Sequence, residues 1–177
     1  MRTHTRVFAL GLVALMSACY QSAGVSPPSV GSLGFDAPRF DVLQVASQYA
    51  EQENAIFTGI NTFRAQHGLP ALAESDTLRR FSLTHATDMV TRNYFSHTNP
   101  EGKGPYQRLR DAGISFAYYG ATNSFASLRA SAVIADWEAH PGKHFMLDPR
   151  FTQAGVGAAG PAANGRYRVT ATYIRPK

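Results

Sequence analysis

The chain has one cysteine, Cys19, in 177 residues. It can form no internal disulfide, so an apolar core has to hold the fold together. It has no run of Lys or Arg and no alternation of basic with aromatic residues, so it lacks the footprint of a nucleic-acid binder. The longest apolar stretch, Val7–Met16, is too short to span a bilayer. Internal repeats are absent. Gly155-Val156-Gly157 is too short and too late in the chain for a phosphate loop; it suits close strand packing.

The apolar stretch does have the pattern of an export leader. Arg2 and Arg6 precede it, and the small residues Ser17-Ala18 follow. Met16-Ser17-Ala18-Cys19 resembles a bacterial lipobox. The resemblance implies cleavage after residue 18, lipid on Cys19 and attachment to a membrane; ordinary secretion is the alternative. Tyr20 after the Cys is compatible with outer-membrane sorting, facing the periplasm or the surface. Loss of Arg2 and Arg6 would lower the net charge from +5 to +3. That surplus favours anionic envelope surfaces. Residues 19–50 are Ser-, Gly- and Pro-rich at first and read as a tether. Residues 51–177 are expected to form one domain.

Ile56, Ile60, Phe63 and His67 recur at helical spacing until Gly68-Leu69-Pro70. Ser75 and Asp76 offer an N-cap to a second helix with the stripe Leu78, Phe81, Ser82, His85, Ala86, Met89. Asn99–Pro105 is turn chemistry. A short helix is expected over 106–112, a strand over 114–119 and a third helix through Ala130, Val133, Ile134 and Trp137. Residues 154–159 and 167–173 then read as a hairpin around Pro161–Gly165. Helices followed by a hairpin indicate an α+β fold.

Three of the six histidines, His97, His140 and His144, fall in two stretches, Asn93–Pro100 and Trp137–His144. If the fold joins these stretches, they hold the imidazole cluster where metal or acid–base chemistry belongs. His140 and His144, four apart, would share a face on a helical turn. With His97 they would offer zinc or another divalent cation three ligands and an open position. The alternative is a polar cleft in which only His97 is well placed. His85, on the apolar stripe, reads as a satisfied core residue. Ser96 reads as a local cap, and Glu138 as a solvent-facing carboxylate that is nonetheless the nearest base in sequence. Tyr94-Phe95 and Tyr118-Tyr119 read as core and cleft wall.

Asn61-x-x-Arg64-x-x-x-Gly68-Leu69-Pro70-x-Leu72, Ala86–Met89, Asn93–His97, Gly102, Arg108-Leu109, Gly113, Trp137, Pro141-Gly142, Asp148-Pro149-x-Phe151-Thr152 and Gly155–Gly157 occur in one order. In that order they resemble the CAP superfamily (cysteine-rich secretory, antigen 5 and pathogenesis-related 1 proteins), in its bacterial SCP-like form. The resemblance implies a three-layer α-β-α sandwich with a small antiparallel sheet and a surface cleft carrying two His and acidic residues. In several members the His pair binds metal, often zinc. His97 matches the first family His. The second falls on His144, Lys143 or His140, because the segment is about one residue shorter than the family pattern. Asn123 matches a family Asn, but the Glu beside it is missing. The expected cleft therefore includes Asn123, Glu138, Ser96 and Tyr119. The implied role is binding a lipid or envelope glycan; a metal-assisted envelope hydrolase and an interaction module with a vestigial cleft are the alternatives.

Overall fold

The computed structural model describes residues 47–124 and 127–177, except for the side chains of 122–124. Cys19, the leader and most of the tether lie outside the described residues. The first helix, α1 (Ala50–Gln66), turns Ile56, Ile60 and Phe63 inward, each at most 6% exposed. Full burial of one such side chain contributes about 2 kcal/mol. Glu51 and Glu53 sit in its first turn, where the helix dipole favours negative charge. Its end is set by Gly68, at φ 71°, and by Leu69 N–H returning to the Arg64 carbonyl at 3.0 Å.

Asn61 clasps Leu72 from both sides: Oδ1 accepts from its N–H at 2.8 Å and Nδ2 donates to its carbonyl at 3.1 Å. This delivers the chain into β1 (Ala73–Glu74), a two-residue strand with no alternation to announce it in the sequence. Ser75 then caps α2 (Asp76–Thr91), its Oγ accepting from Leu78 N–H at 3.4 Å, as the sequence predicts. The remaining elements are α3 (Pro105–Asp111), β2 (Tyr118–Ser124), α4 (Ala130–Ala139), α5 (Gly142–Met146), β3 (Gln153–Ala159) and β4 (Arg168–Arg175).

The sheet order is β1-β3-β4-β2. The pairs β3–β4 and β4–β2 are antiparallel as expected, but β1 joins β3 in parallel, so the sheet is mixed. Alternation along β4 sorts the two faces. Val169, Ala171 and Tyr173 join Ile56, Ile60, Val133 and Trp137 under α1 and α4. Ile174 joins Leu78, Phe81 and Leu109 under α2 and α3. Thr172, on the same side as Ile174, meets Ser82 Oγ at 2.8 Å. Two helical layers on opposite faces of one sheet give the expected α-β-α sandwich.

Gly155 and Gly157 are where α2 touches the sheet. A Cβ on Gly157 would collide with the backbone of Ser82 and Leu83, and one on Gly155 with the backbone of Leu78 and Arg79. The sandwich is also tied by two buried ionic side chains. Arg64, fully buried, donates to the carbonyls of Pro70 (2.9 Å), Met146 (2.7 Å) and Asp148 (3.1 Å). Glu53 Oε1 accepts from Ala158 N–H at 2.8 Å, and its Oε2 lies 3.6 Å from Arg79 on α2.

Two sequence expectations shift. The strand expected over 114–119 begins at Tyr118, because Ile114 and Phe116 leave the sheet to pack on the Leu78–Leu109 cluster. The helical turn expected to carry both His140 and His144 is divided. His140 is extended (φ −120°, ψ 175°) and ends α4, whereas His144 lies in α5, which Pro141 opens.

Candidate functional site

His97 is held by the end of α2. Asn93 adopts left-handed φ 51°, and Tyr94 N–H returns to the Met89 carbonyl at 3.0 Å, closing the helix. The chain then doubles back, so that His85 Nε2 meets the Ser96 carbonyl at 2.9 Å. A carbonyl only accepts, so Nε2 carries the proton. Burial, then the Arg108 guanidinium, push the His85 pKa down to about 4, so the imidazole stays neutral. His85 is thus a satisfied core residue that also anchors the His97 loop.

A polar clamp closes the other side of the loop. Tyr94 Oη donates to Asp88 Oδ2 at 2.5 Å. Arg92 grips Asp88 through Nε and Nη2, both at 2.6 Å, and reaches Glu101 beyond the turn. Burial alone would raise the Asp88 pKa; the hydrogen bonds from Arg92 and Tyr94 outweigh it and hold the carboxylate low. The hydrogen bond from Arg92 likewise lowers Glu101. Burial and the bond to Asp88 raise the Tyr94 pKa, so its hydroxyl keeps its proton.

Arg108, on α3, faces the same loop. Its guanidinium lies 5.3 Å from the Phe81 ring centroid and donates from Nη2 to the His97 carbonyl at 3.1 Å. Its buried Nε has no hydrogen-bond partner, and desolvation lowers its pKa. No carboxylate bonds it among the described hydrogen bonds; Asp88 acts on it only through space. The His97 residue is exposed, yet the groups crowding its ring and the Arg108 charge still depress its pKa. The resulting rim is an imidazole with a lowered pKa beside a half-desolvated cation that has no bonded carboxylate.

The other expected site residues are placed as follows. Ser96 Oγ accepts from Thr98 N–H at 3.1 Å, a local turn. Glu138 is exposed. His140 is exposed, with Nδ1 2.7 Å from the Asp136 carbonyl, and His144 is exposed on α5. Asn123 lies on β2 opposite Thr170, its side chain outside the described residues. Tyr118, Tyr119 and Phe95, expected from the sequence as core and wall, are 42%, 39% and 42% exposed; only Tyr94 of the two pairs is half-buried. The cause is position: Tyr118 and Tyr119 open the edge strand, where no further strand covers them.

The donor set does not fit a three-imidazole zinc centre. Among the described residues no three His, Cys, Asp or Glu side chains converge as metal ligands, and the break at Pro141 leaves His140 extended past the end of α4 and His144 in α5. The described groove of about 320 Å³ lies elsewhere, lined by Ser47, Ala50, Asn54, Glu74, Asp76 and Arg79, and holds none of the expected site residues.

A family model described as the cysteine-rich secretory protein family (CAP) matches residues 57–173. The chain belongs to the CAP family. Its match to an uncharacterized Bacillus subtilis protein, YkwD, is 28% identical over 112 residues, which is 63% of this chain and 44% of that one. A Bacillus anthracis extracellular protein containing an SCP domain superposes with a TM-score of 0.62 at 28% identity, over 71% of this chain and 41% of that one. An outer surface protein of Borrelia burgdorferi superposes at 0.65 with 18% identity, over 72% and 94%, a likeness of fold. This CAP chain thus spans less than half the length of its two Bacillus relatives. With one Cys it has no internal disulfide and is held by its core and by the buried Arg64 and Glu53 bonds. Arg108 was legible only as a family marker. The Asp88–Arg92 spacing of four on a clear helix could have announced the ion pair. Nothing local in the sequence pointed to Glu101.

Proposed function

We propose that this CAP chain is an extracytoplasmic binding module that holds an envelope amphiphile with an anionic headgroup at the His97–Arg108 rim. The observation that carries the reading is Arg108. Its charge is drawn out of water and meets no bonded carboxylate, whereas Asp88 and Glu101 nearby are both taken by Arg92. An isolated, desolvated cation is costly unless an anion completes it. Phe95, exposed two residues before His97 with Arg168 stacked 5.6 Å from its ring centroid, adds partly apolar surface beside the rim. Extracytoplasmic placement is supported by the leader-like N-terminus and by the description of the Bacillus anthracis relative as extracellular. Anchoring through a lipid on Cys19 belongs to the same proposal.

A metal-assisted hydrolase would need converging ligands and an available base. The carboxylates beside His97 are ion-paired, and Glu138 faces solvent. The test is extraction of the protein purified from an envelope, with mass spectrometry of what it carries. Anionic lipid in the wild-type extract, and none in that of Arg108→Gln, is the expected result. Lipid-free wild type that binds envelope glycan refutes the proposal.

A further inference from the structure

Arg168 is a second guanidinium that the fold draws out of water without an acid to meet it. It opens β4 and is 4% exposed. Alternation along the strand puts it with Thr172 and Ile174 on the α2 side of the sheet. There it meets the turn that follows α2. Nε donates to the Tyr94 carbonyl and Nη1 to the Tyr167 carbonyl, both at 3.3 Å, and the guanidinium carbon lies 5.6 Å from the Phe95 ring centroid. Nη2 has no partner among the described hydrogen bonds. Arg64 shows the contrast. It also bonds main-chain carbonyls, but it holds three of them at 2.7 to 3.1 Å, and Asp148 supports its charge through space. Arg168 holds two, at the long end of the hydrogen-bond range. Among the described residues no acid acts on it; burial, then the like charge of Arg166, lower its pKa. A neutral donor would serve to tie β4 to the turn, so the buried charge is a net cost unless an anion meets it.

We propose that Arg168 anchors a phosphate-binding subsite, with Arg166 and the exposed Phe95 beside it, distinct from the His97–Arg108 rim. The two are separate points on one loop. Arg108 bonds the His97 carbonyl and Arg168 the Tyr94 carbonyl, and neither cation is among the charges acting on the other. The subsite goes beyond binding at the rim and does not depend on it. Phosphate fits it better than carboxylate. Nε is committed to Tyr94, so the Nε–Nη2 fork that grips a planar carboxylate through two parallel bonds is not available. A tetrahedral phosphate accepts from the Nη2 corner and turns another oxygen towards Arg166, whose charge reaches the same point. The phosphate can belong to a lipid headgroup or be free in solution; the chemistry of its capture is the same.

The core residues all fall within 56–174, so the chain from residue 19 onward, with Cys19→Ser to remove any lipid, keeps the whole fold. Its arginine Nε–H signals are followed by NMR as sodium phosphate or sodium acetate is added at neutral pH, with chloride holding the ionic strength constant. Phosphate is expected to move the Arg168 signal to saturation, with an affinity roughly fivefold or more above that of acetate. Arg168→Gln removes the saturating response. Arg166→Gln, on an exposed side chain, weakens it about threefold. Arg108→Gln leaves it within about twofold. If Arg168→Gln does not fold, the wild-type and Arg166→Gln titrations decide by themselves. A short-chain cardiolipin, with two phosphates, separates the sources. Saturation of the Arg108 and Arg168 signals together at one molecule per chain assigns the phosphate to a lipid headgroup; an Arg168 signal that answers to free phosphate alone assigns it to a soluble ligand. The inference is overturned if phosphate moves the Arg168 signal no more than chloride or acetate does. It is equally overturned if the response survives Arg168→Gln or disappears in Arg108→Gln. Lipid extraction from the His97 rim reads Arg108, so either idea can fail alone.

Discussion

Gly157→Ala should loosen the sandwich and disturb the site together. Gly157 lies on β3 under α2, and the added methyl would sit 2.5 Å from the Ser82 carbonyl carbon and closer still to Leu83 N and Cα. Ordinary carbon contacts need about 3.5 Å or more, so α2 has to rise by roughly 1 Å or β3 has to sink. Both obstructing partners are backbone, so no side-chain rotation relieves the clash. Overpacking of this kind costs about 1–3 kcal/mol, and a backbone collision belongs at the top of that range. For a domain of this size, about 3 kcal/mol corresponds to a fall in Tm of roughly 10 °C. Because α2 holds the His97 loop through His85 and Asp88, ligand affinity should fall with it. The assay is thermal unfolding followed by circular dichroism, with Gly104→Ala as control. Gly104 has φ −77°, and its Cβ would meet nothing closer than Thr98 Oγ1 at 4.0 Å, so that variant should lose only the small cost of Ala at the N-cap of α3, about 1 kcal/mol or less. A Gly157→Ala protein melting within about 2 °C of wild type would refute close helix–strand contact as the reason for the glycines.

The remaining predictions concern buried polar groups. His85 has a folded pKa of about 4 against 6.5 unfolded, so between those values the unfolded chain binds the extra proton. Stability is therefore fully present above pH 6.5 and is lost as pH falls towards 4, by roughly 3 kcal/mol. Tm measured across this window should fall with acid, and His85→Gln should flatten the slope, leaving the smaller contribution of His97; an unchanged slope contradicts the assignment. Arg64→Met strands the carbonyls of Pro70, Met146 and Asp148 and should cost about 4 kcal/mol by urea unfolding. A loss below about 1 kcal/mol would show that water replaces the guanidinium at no cost.

Much of the fold was legible because its signals are local and periodic. The stripe from Leu78 to Met89, the Ser75 cap and the Ile56–Ile60–Phe63 face survive intact in the structure. The β1 strand was not legible, since two residues carry no period and exist by pairing with β3. Nor was the start of β2, because Ile114 and Phe116 alternate like a strand but are drawn to Leu78 and Leu109. The site divides in the same way. His97 follows directly from the end of a helix, whereas Arg108 becomes significant only when α3 folds against Phe81 and the His97 loop. Among the described residues the histidine trio is not gathered as three ligands, and Pro141 breaks the turn that would have aligned two of its members.

The central claim is that Arg108 recognises an anionic headgroup. Titration with lysophosphatidylglycerol and with lysophosphatidylcholine, followed by calorimetry on wild type and Arg108→Gln, tests it most directly. Wild type should prefer the anionic lipid by roughly tenfold or more, and Arg108→Gln should abolish the preference while still binding both weakly. Equal affinity of wild type for the two lipids, or a preference that survives in Arg108→Gln, would contradict it.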